Sequence, residues 1–431
     1  MRTWQPTAAM MRAVALGGLG AATSVLLGEP VAMVLTAPLM LLGAMALLHR
    51  PSSRPVASTS TDHAVLHEGQ GTRVRLAVDD LSDVEHVTRL AAPVLHVALH
   101  PADGRLGRLV GPDDELPVVE ASPRRWGRRL LGEEAVALTS PWAGYRWGPV
   151  SVVGEQLQVL PVRAPFDSRA EAPQPLGLVG AHRSRRPGDG TELAAIRPFQ
   201  TGDRLRRIHW RVSLRTDRLH VVSTRGEEDS AVLVVVDALA DHGRSGGVDG
   251  AVSTLDVTVR AAAAIAEHHV RRGDRVSLRV VGTGGEMIGY GAGMRHLQVV
   301  LGRLATLRVG APHDLRADQL QLGVTAGTVV VVLSPMLSGA MGTLTATLVQ
   351  RGLQVMVVDT LPEAVTPAVV EGTDPAIAAI AWRMRRIERA EVLARLAALG
   401  CPVVTWRGPG TLDDVLHRLA RRAQLPQVRA T

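Results

Sequence analysis

The chain has no lysine and no asparagine, a single cysteine, and only two phenylalanines and two tyrosines in 431 residues. Without lysine, a Gly-x-x-x-x-Gly-Lys-[Ser/Thr] phosphate loop cannot be completed, so the chain carries no P-loop ATPase of its own. Without asparagine there is no N-glycosylation acceptor. The lone Cys401 can form no internal disulfide, and no Cys/His spacing resembles a zinc site. Both absences fit soluble parts facing a reducing cytoplasm. A Gly-x-Ser-x-Gly nucleophile elbow is missing as well. Arginine is the only strongly basic residue, and a guanidinium stays charged at any ordinary pH. The pI near 10.9 therefore reflects arginine in place of lysine rather than a nucleic-acid surface.

What is present is a long and apolar chain, 46% hydrophobic, with room for two or three domains. Its net charge of +7 is concentrated. Between residues 180 and 225 eleven arginines face only Asp189, Glu192, Asp203 and Asp217, an excess equal to that of the whole chain.

The first 54 residues hold two uncharged apolar runs, 13–28 and 31–48, separated by Glu29 and Pro30. Each is about long enough to cross a bilayer. Arg2 and Arg12 precede the pair, and Arg50 and Arg54 follow it. The positive-inside rule then places both ends in the cytoplasm of a two-pass plasma-membrane protein. A signal peptide is the competing reading, but a second apolar run follows at once with no small-residue cleavage site between them.

Residues 55–165 read as a small all-β sandwich. In 72–80, Val74, Leu76 and Val78 alternate with Arg73, Arg75 and Ala77, and further short strands recur between Gly, Pro and Asp turns. His96 and His100 are expected on those strands in structural roles. A Pro-rich linker (164–177) and the basic segment fill 166–225. From 226 to 431 apolar strands alternate with helices, the pattern of a doubly wound, Rossmann-like α/β domain. The Gly-rich stretch 282–293 is expected to be a hairpin, 377–400 a long helix burying Ile377, Ile380, Met384 and Ile387, and 410–424 a closing helix.

In such a sheet, ligands sit beyond the carboxyl ends of the strands, which points to Asp237. Asp237 and Asp241 are weak candidates for a cation such as Mg²⁺: set beside the Asp-x-Ser-x-Ser of a von Willebrand factor A-type metal site, which residues 237–241 would resemble, Leu239 and Asp241 replace the two hydroxyls. His268 and His269 are adjacent on a helix, a poor geometry for a shared ligand. In the basic segment, Asp203 can cap a helix on which Leu205, Ile208 and Val212 share one face and Arg204, Arg207 and Arg211 another, with Trp210 tucked towards the domain. The expected contact set is Arg197, Gly202, Asp203, Arg204, Arg206, Arg207, His209, Trp210, Arg211 and Arg215. Asp203 with His209 forms an acid/base pair only on paper, since no nucleophile accompanies it.

Gly188, Gly190, Glu192, Arg197, Gly202, Asp203, Arg207, Ile208, Trp210 and the strand-end Asp237 together resemble the signature of the DUF58 family, with Phe199 at a tyrosine position and Leu193 at a phenylalanine position. The segment 143–152 also resembles that family's Tyr-x-x-Gly-Pro stretch. The resemblance implies a membrane-anchored protein with a von Willebrand factor A-like domain and no established reaction. It further implies a MoxR-type AAA+ ATPase as protein partner. The expected function is thus a non-enzymatic, membrane-anchored adaptor with no required cofactor and no nucleic-acid partner. The alternatives are a binding module for anionic lipid or polymer, and a metal-dependent hydrolase using Asp203, His209 and Asp237.

Overall fold

A computed structural model describes the chain except residues 1–2, 112–113, 163–181, 201–204, 206–207, 229–230, 283–286, 311–323, 325–327, 366–373, 409–410 and 412–431; for 182–195 and 223–228 it describes the backbone alone. The linker expected at 164–177 and nearly all of the closing helix fall outside the described residues. The chain divides into two compact units, residues 1–162 with 246–250, and residues 163–245 with 251–431.

The first unit begins with helices α1 (Ala8–Leu27) and α2 (Val31–Leu48), each long and apolar enough to cross a membrane, with mean hydropathies of 1.5 and 2.3. α1 starts earlier than the apolar run does, because Thr7 caps it by accepting the Met10 amide at 3.1 Å. Gly28, at φ 68°, ends it in the left-handed region that favours glycine and opens the turn into α2. The two helices meet along small residues: Ala13, Gly17 and Gly20 are buried, and a Cβ on Gly20 would overlap the Thr36 side chain. Their other faces leave Leu16, Leu19, Leu26, Val34, Leu35 and Leu41 open, an apolar surface that water does not favour.

Twelve short strands follow or flank this hairpin. One sheet has the order β1 (Gln5–Pro6), β11 (Tyr145–Val152), β10 (Glu134–Thr139), β5 (His86–Ala91), β7 (Arg105–Leu109). A second runs β2 (Ala57–Thr61), β4 (Thr72–Val78), β8 (Val119–Pro123), β6 (Val97–His100). A third runs β3 (Val65–His67), β12 (Gln156–Leu160), β9 (Gly127–Leu130). All pairings are antiparallel except β3 with β12. β4 alternates buried and exposed along its length, as its sequence pattern requires. One apolar cluster joins Val74, Ala91, Val119 and Leu157 from all three sheets; another joins Leu76 to Val87, Leu138 and Trp147. Between them lies a fully buried Arg89, whose guanidinium donates to both Glu134 carboxylate oxygens at 2.6 and 2.9 Å and to the carbonyls of Val74 and Pro117. His100 ends β6, but His96 lies off the strand, in a turn at φ 61°.

The second unit opens with a two-stranded antiparallel ribbon, β13 (His182–Pro198) with β14 (His220–Glu228), that brackets the short helix α3 (Trp210–Thr216). A six-stranded sheet follows: β15 (Ala231–Asp237), β16 (Arg275–Val281), β17 (Met287–Gly291), β18 (Val329–Ser334), β19 (Gln354–Asp359) and β20 (Val403–Thr405). Its spatial order is β17-β16-β15-β18-β19-β20, parallel throughout except for β17, which folds back on β16 as the expected hairpin. Strands buried on both faces need no alternation, which explains the unbroken valine runs of β15 and β18. Helix α4 (Thr254–Arg271) and helix α5 (Gly293–Leu304) pack together, as do α6 (Gly339–Gln350) and α7 (Pro375–Ala398). Leu233, Val235, Val332 and Val357 meet Met341 and Leu344 of α6 and Leu396 of α7. α4 is fixed by a reciprocal capping box between Ser253 and Asp256.

α7 corrects one expectation. Ile377, Ile380, Met384 and Ile387 are 57–61% exposed rather than buried. The helix docks instead through Trp382, Arg385, Arg389, Val392 and Leu396. Arg389 donates to the Pro335 carbonyl at 2.7 Å and pairs with Asp359; Arg385 donates to the Leu337 carbonyl at 3.3 Å. The middle of α7 thus seats on carbonyls just beyond β18 through arginines, and a hydrophobicity pattern does not mark such a face.

Candidate functional site

The order of the α/β sheet reverses direction between β15 and β18: successive strands run outward one way from β15 and the other way from β18. At such a switch point the two crossover helices diverge and leave a crevice beyond the carboxyl ends of the strands. Here it holds about 350 Å³ and is lined among others by Asp237, His242, Ser338, Gly339, Trp382 and Arg385.

Asp237 closes β15 and is held tightly. Its Oδ2 accepts from Ser334 Oγ at 2.6 Å and its Oδ1 from the Leu239 amide at 3.0 Å. Burial raises its pKa, against the pull of those two hydrogen bonds. Ser334 in turn accepts from the Met336 amide at 2.9 Å. Asp241 is engaged elsewhere: it accepts from Ser253 Oγ, Thr254 Oγ1 and the Leu255 amide at the start of α4. The two acids therefore serve a strand end and a helix end rather than converging, and no group of three or more metal-ligating side chains exists among the described residues. The polar groups facing the crevice are of another kind. His242 lies tilted against Trp382 with ring centroids 5.6 Å apart, and burial lowers its pKa, favouring the neutral imidazole. Arg385 lines the same wall, and α6 begins there at Ser338 without a side-chain cap. A neutral imidazole, a guanidinium, an indole and open helix amides can bind an acceptor-rich group. They contain no nucleophile paired with a base.

The basic segment supplies the second candidate surface. The helix there is shorter than expected and is capped by His209, whose Nδ1 accepts from the Val212 amide at 3.2 Å. That nitrogen thus faces the backbone at the start of α3. Ser213 accepts from the His220 amide at 2.9 Å and donates to the His209 carbonyl at 3.0 Å, tying α3 to β14. Trp210 is 62% exposed instead of tucked inward, because a helix that starts at residue 210 turns it to solvent. Arg211 and Arg215, one turn apart, are exposed on α3, and Arg197 donates to the Pro198 carbonyl at 3.2 Å. Gly202, Asp203, Arg204, Arg206 and Arg207 lie outside the described residues.

Sequence reasoning reached Asp237 but missed His242, Trp382 and Arg385. The last two stand about 145 positions from Asp237, and only the strand order brings them to it.

Residues 195–381 match the family model described as "Protein of unknown function DUF58". Uncharacterized proteins of Mycobacterium bovis and of two Mycobacterium tuberculosis strains are 32% identical over 145 residues, 33% of this chain and 44% of each relative. The match therefore spans less than half the length of those curated relatives.

Proposed function

We propose, from the match of residues 195–381 to the DUF58 family model, that this chain is a non-enzymatic adaptor held in the plasma membrane by its N-terminal hairpin. Both helix ends and the two units lie on the cytoplasmic side, in keeping with the arginines that flank the helices. The α/β unit acts as a von Willebrand factor A-like binding domain. Its strand order, with a single antiparallel edge strand, supports that reading. The observation that carries the adaptor role is the switch-point crevice, which offers donors without a nucleophile or a converging set of acids. The partner is a protein, of the MoxR-type AAA+ ATPase class, which docks an acidic group at the crevice and meets the arginines of the basic segment. Recovery of the ATPase with the full chain from membranes tests this. Arg385→Ala and the pair Arg206→Ala/Arg207→Ala are expected to cut recovery severalfold, and undiminished recovery with all three changed refutes the assignment.

A second reading, binding of anionic lipid, is favoured by a separate feature. At the foot of the hairpin an open cavity of about 930 Å³ is lined by Trp4, Tyr145, Trp147, Arg50 and Arg54. Aromatic rings beside arginines suit a phosphate headgroup at the membrane surface. Thermal stabilisation of the full chain by phosphatidylglycerol but not phosphatidylcholine, lost in Arg50→Gln/Arg54→Gln, supports it; equal stabilisation by both lipids eliminates it.

A further inference from the structure

Among the described residues, the packing of the second unit leaves an apolar row on α7 uncovered. Ile377, Ile380, Met384 and Ile387 recur at intervals of three, four and three on the side of the helix opposite the docked residues Arg385, Arg389, Val392 and Leu396. A surface helix that packs on a globular core shows a broad apolar face, whereas intervals of three and four confined to one narrow line belong to a coiled-coil seam. In heptad terms these four residues occupy positions a, d, a and d. The row stops at Glu391, which takes the next a position.

The flanks of the seam identify the occupant. Arg383 falls at position g and Glu388 at the following e, one on each side of the row. In a parallel, in-register pair of helices, a g residue faces the e residue five positions later on the other strand. Arg383 of one copy then meets Glu388 of the other, and two-fold symmetry makes the contact twice. In an antiparallel pair g faces g, which sets arginine against arginine. Both residues are exposed, and Glu388 has within its own helix only a 3.9 Å contact with Arg385, itself exposed and worth little. Arg383 has no ion pair among the described residues.

We infer that α7 is a self-association helix that pairs two copies of this chain in parallel through Ile377, Ile380, Met384 and Ile387, with Arg383 and Glu388 fixing register and direction. Two heptads bury far less than the roughly 1,200 Å² of a stable interface, so the pair is weak in dilute solution. Confinement of both copies to one membrane raises their effective concentration and favours it. The inference does not depend on which partner the crevice binds.

Cysteine cross-linking of the full chain in its membrane tests this directly, because the only native cysteine, Cys401, is buried. Met384→Cys is expected to give a disulfide-linked species of twice the chain mass on mild oxidation, whereas Arg386→Cys, exposed away from the seam, gives several-fold less. In the Met384→Cys background, Arg383→Glu and Glu388→Arg each lower the yield severalfold, and the two together restore it. Equal yields at 384 and 386, a cross-link to a chain of different mass, or no restoration in the double exchange each overturn the proposal.

Discussion

At the scale of single residues, the buried polar groups are those whose partners are irreplaceable. Arg89 and Glu134 satisfy each other in the core of the first unit with two further carbonyls. Glu134→Ala leaves an uncompensated guanidinium there and is expected to cost about 3–5 kcal/mol in denaturant unfolding, whereas Arg89→Met/Glu134→Leu costs much less. Ser334 plays the same part for Asp237, and Ser334→Ala should cost about 1–3 kcal/mol by leaving a buried carboxylate oxygen unpaired. His268 gives a pH dependence. Burial first, then the charges of His269 and Arg272, hold its pKa down at about 4, against 6.5 for a free imidazole. As pH falls through 6.5 the unfolded chain takes up the proton and the folded chain does not. Stability is therefore lost between about pH 6.5 and pH 4, by about 1–2 kcal/mol for this partly exposed ring. Melting followed by circular dichroism across that range should show the decline, flattened in His268→Gln.

At the scale of elements, the α1–α2 pair depends on a line of small side chains. Gly17 and Gly20 sit where a Cβ would strike α2, at 2.7 Å from Met40 Cγ in the first case. Gly20→Val is expected to separate the two helices, read as new protease sensitivity in the Gly28–Pro30 turn in detergent, while Gly18→Val, with open space around it, changes nothing. Elements of this kind were legible in the sequence because their residues repeat: the twin apolar runs, the alternation of Val74 and Leu76, the valine strands. What could not be read was any face defined by tertiary partners. Ile377, Ile380, Met384 and Ile387 carry the periodicity of α7, yet the docked face is built from Arg385 and Arg389 on carbonyls just beyond β18. The helix of the basic segment failed for a similar reason. Its start is set by the His209 imidazole and by Ser213 bridging to His220, neither of which follows from amphipathicity. The crevice itself was half visible: Asp237 stands at a strand end in sequence, while Trp382 joins it only through topology.

At the scale of the whole molecule, two units with separate cores are expected to unfold separately. Calorimetry of the detergent-solubilised chain should resolve two transitions, with Glu134→Ala lowering only one and Ser334→Ala only the other; a single shared shift would show one cooperative body. The first unit also determines what kind of anchor the hairpin is. Gln5 and Pro6 pair with Arg146 and Tyr145 at the edge of a sheet just before α1 begins, and the Thr7 amide donates to the Gly144 carbonyl at 2.9 Å. Where the chain leaves α2, at the same foot of the hairpin, Ala46 is buried with Met10 and Tyr145, and the Trp4 indole donates to the Ser53 carbonyl at 3.0 Å. Both ends of the hairpin are thus stitched to the same β-sheet. Seated in a bilayer, such an element works as a bolted bracket rather than a rope: the sheet above it keeps one height and one tilt, and a load applied to the sheet passes into the helices instead of being taken up by slack chain.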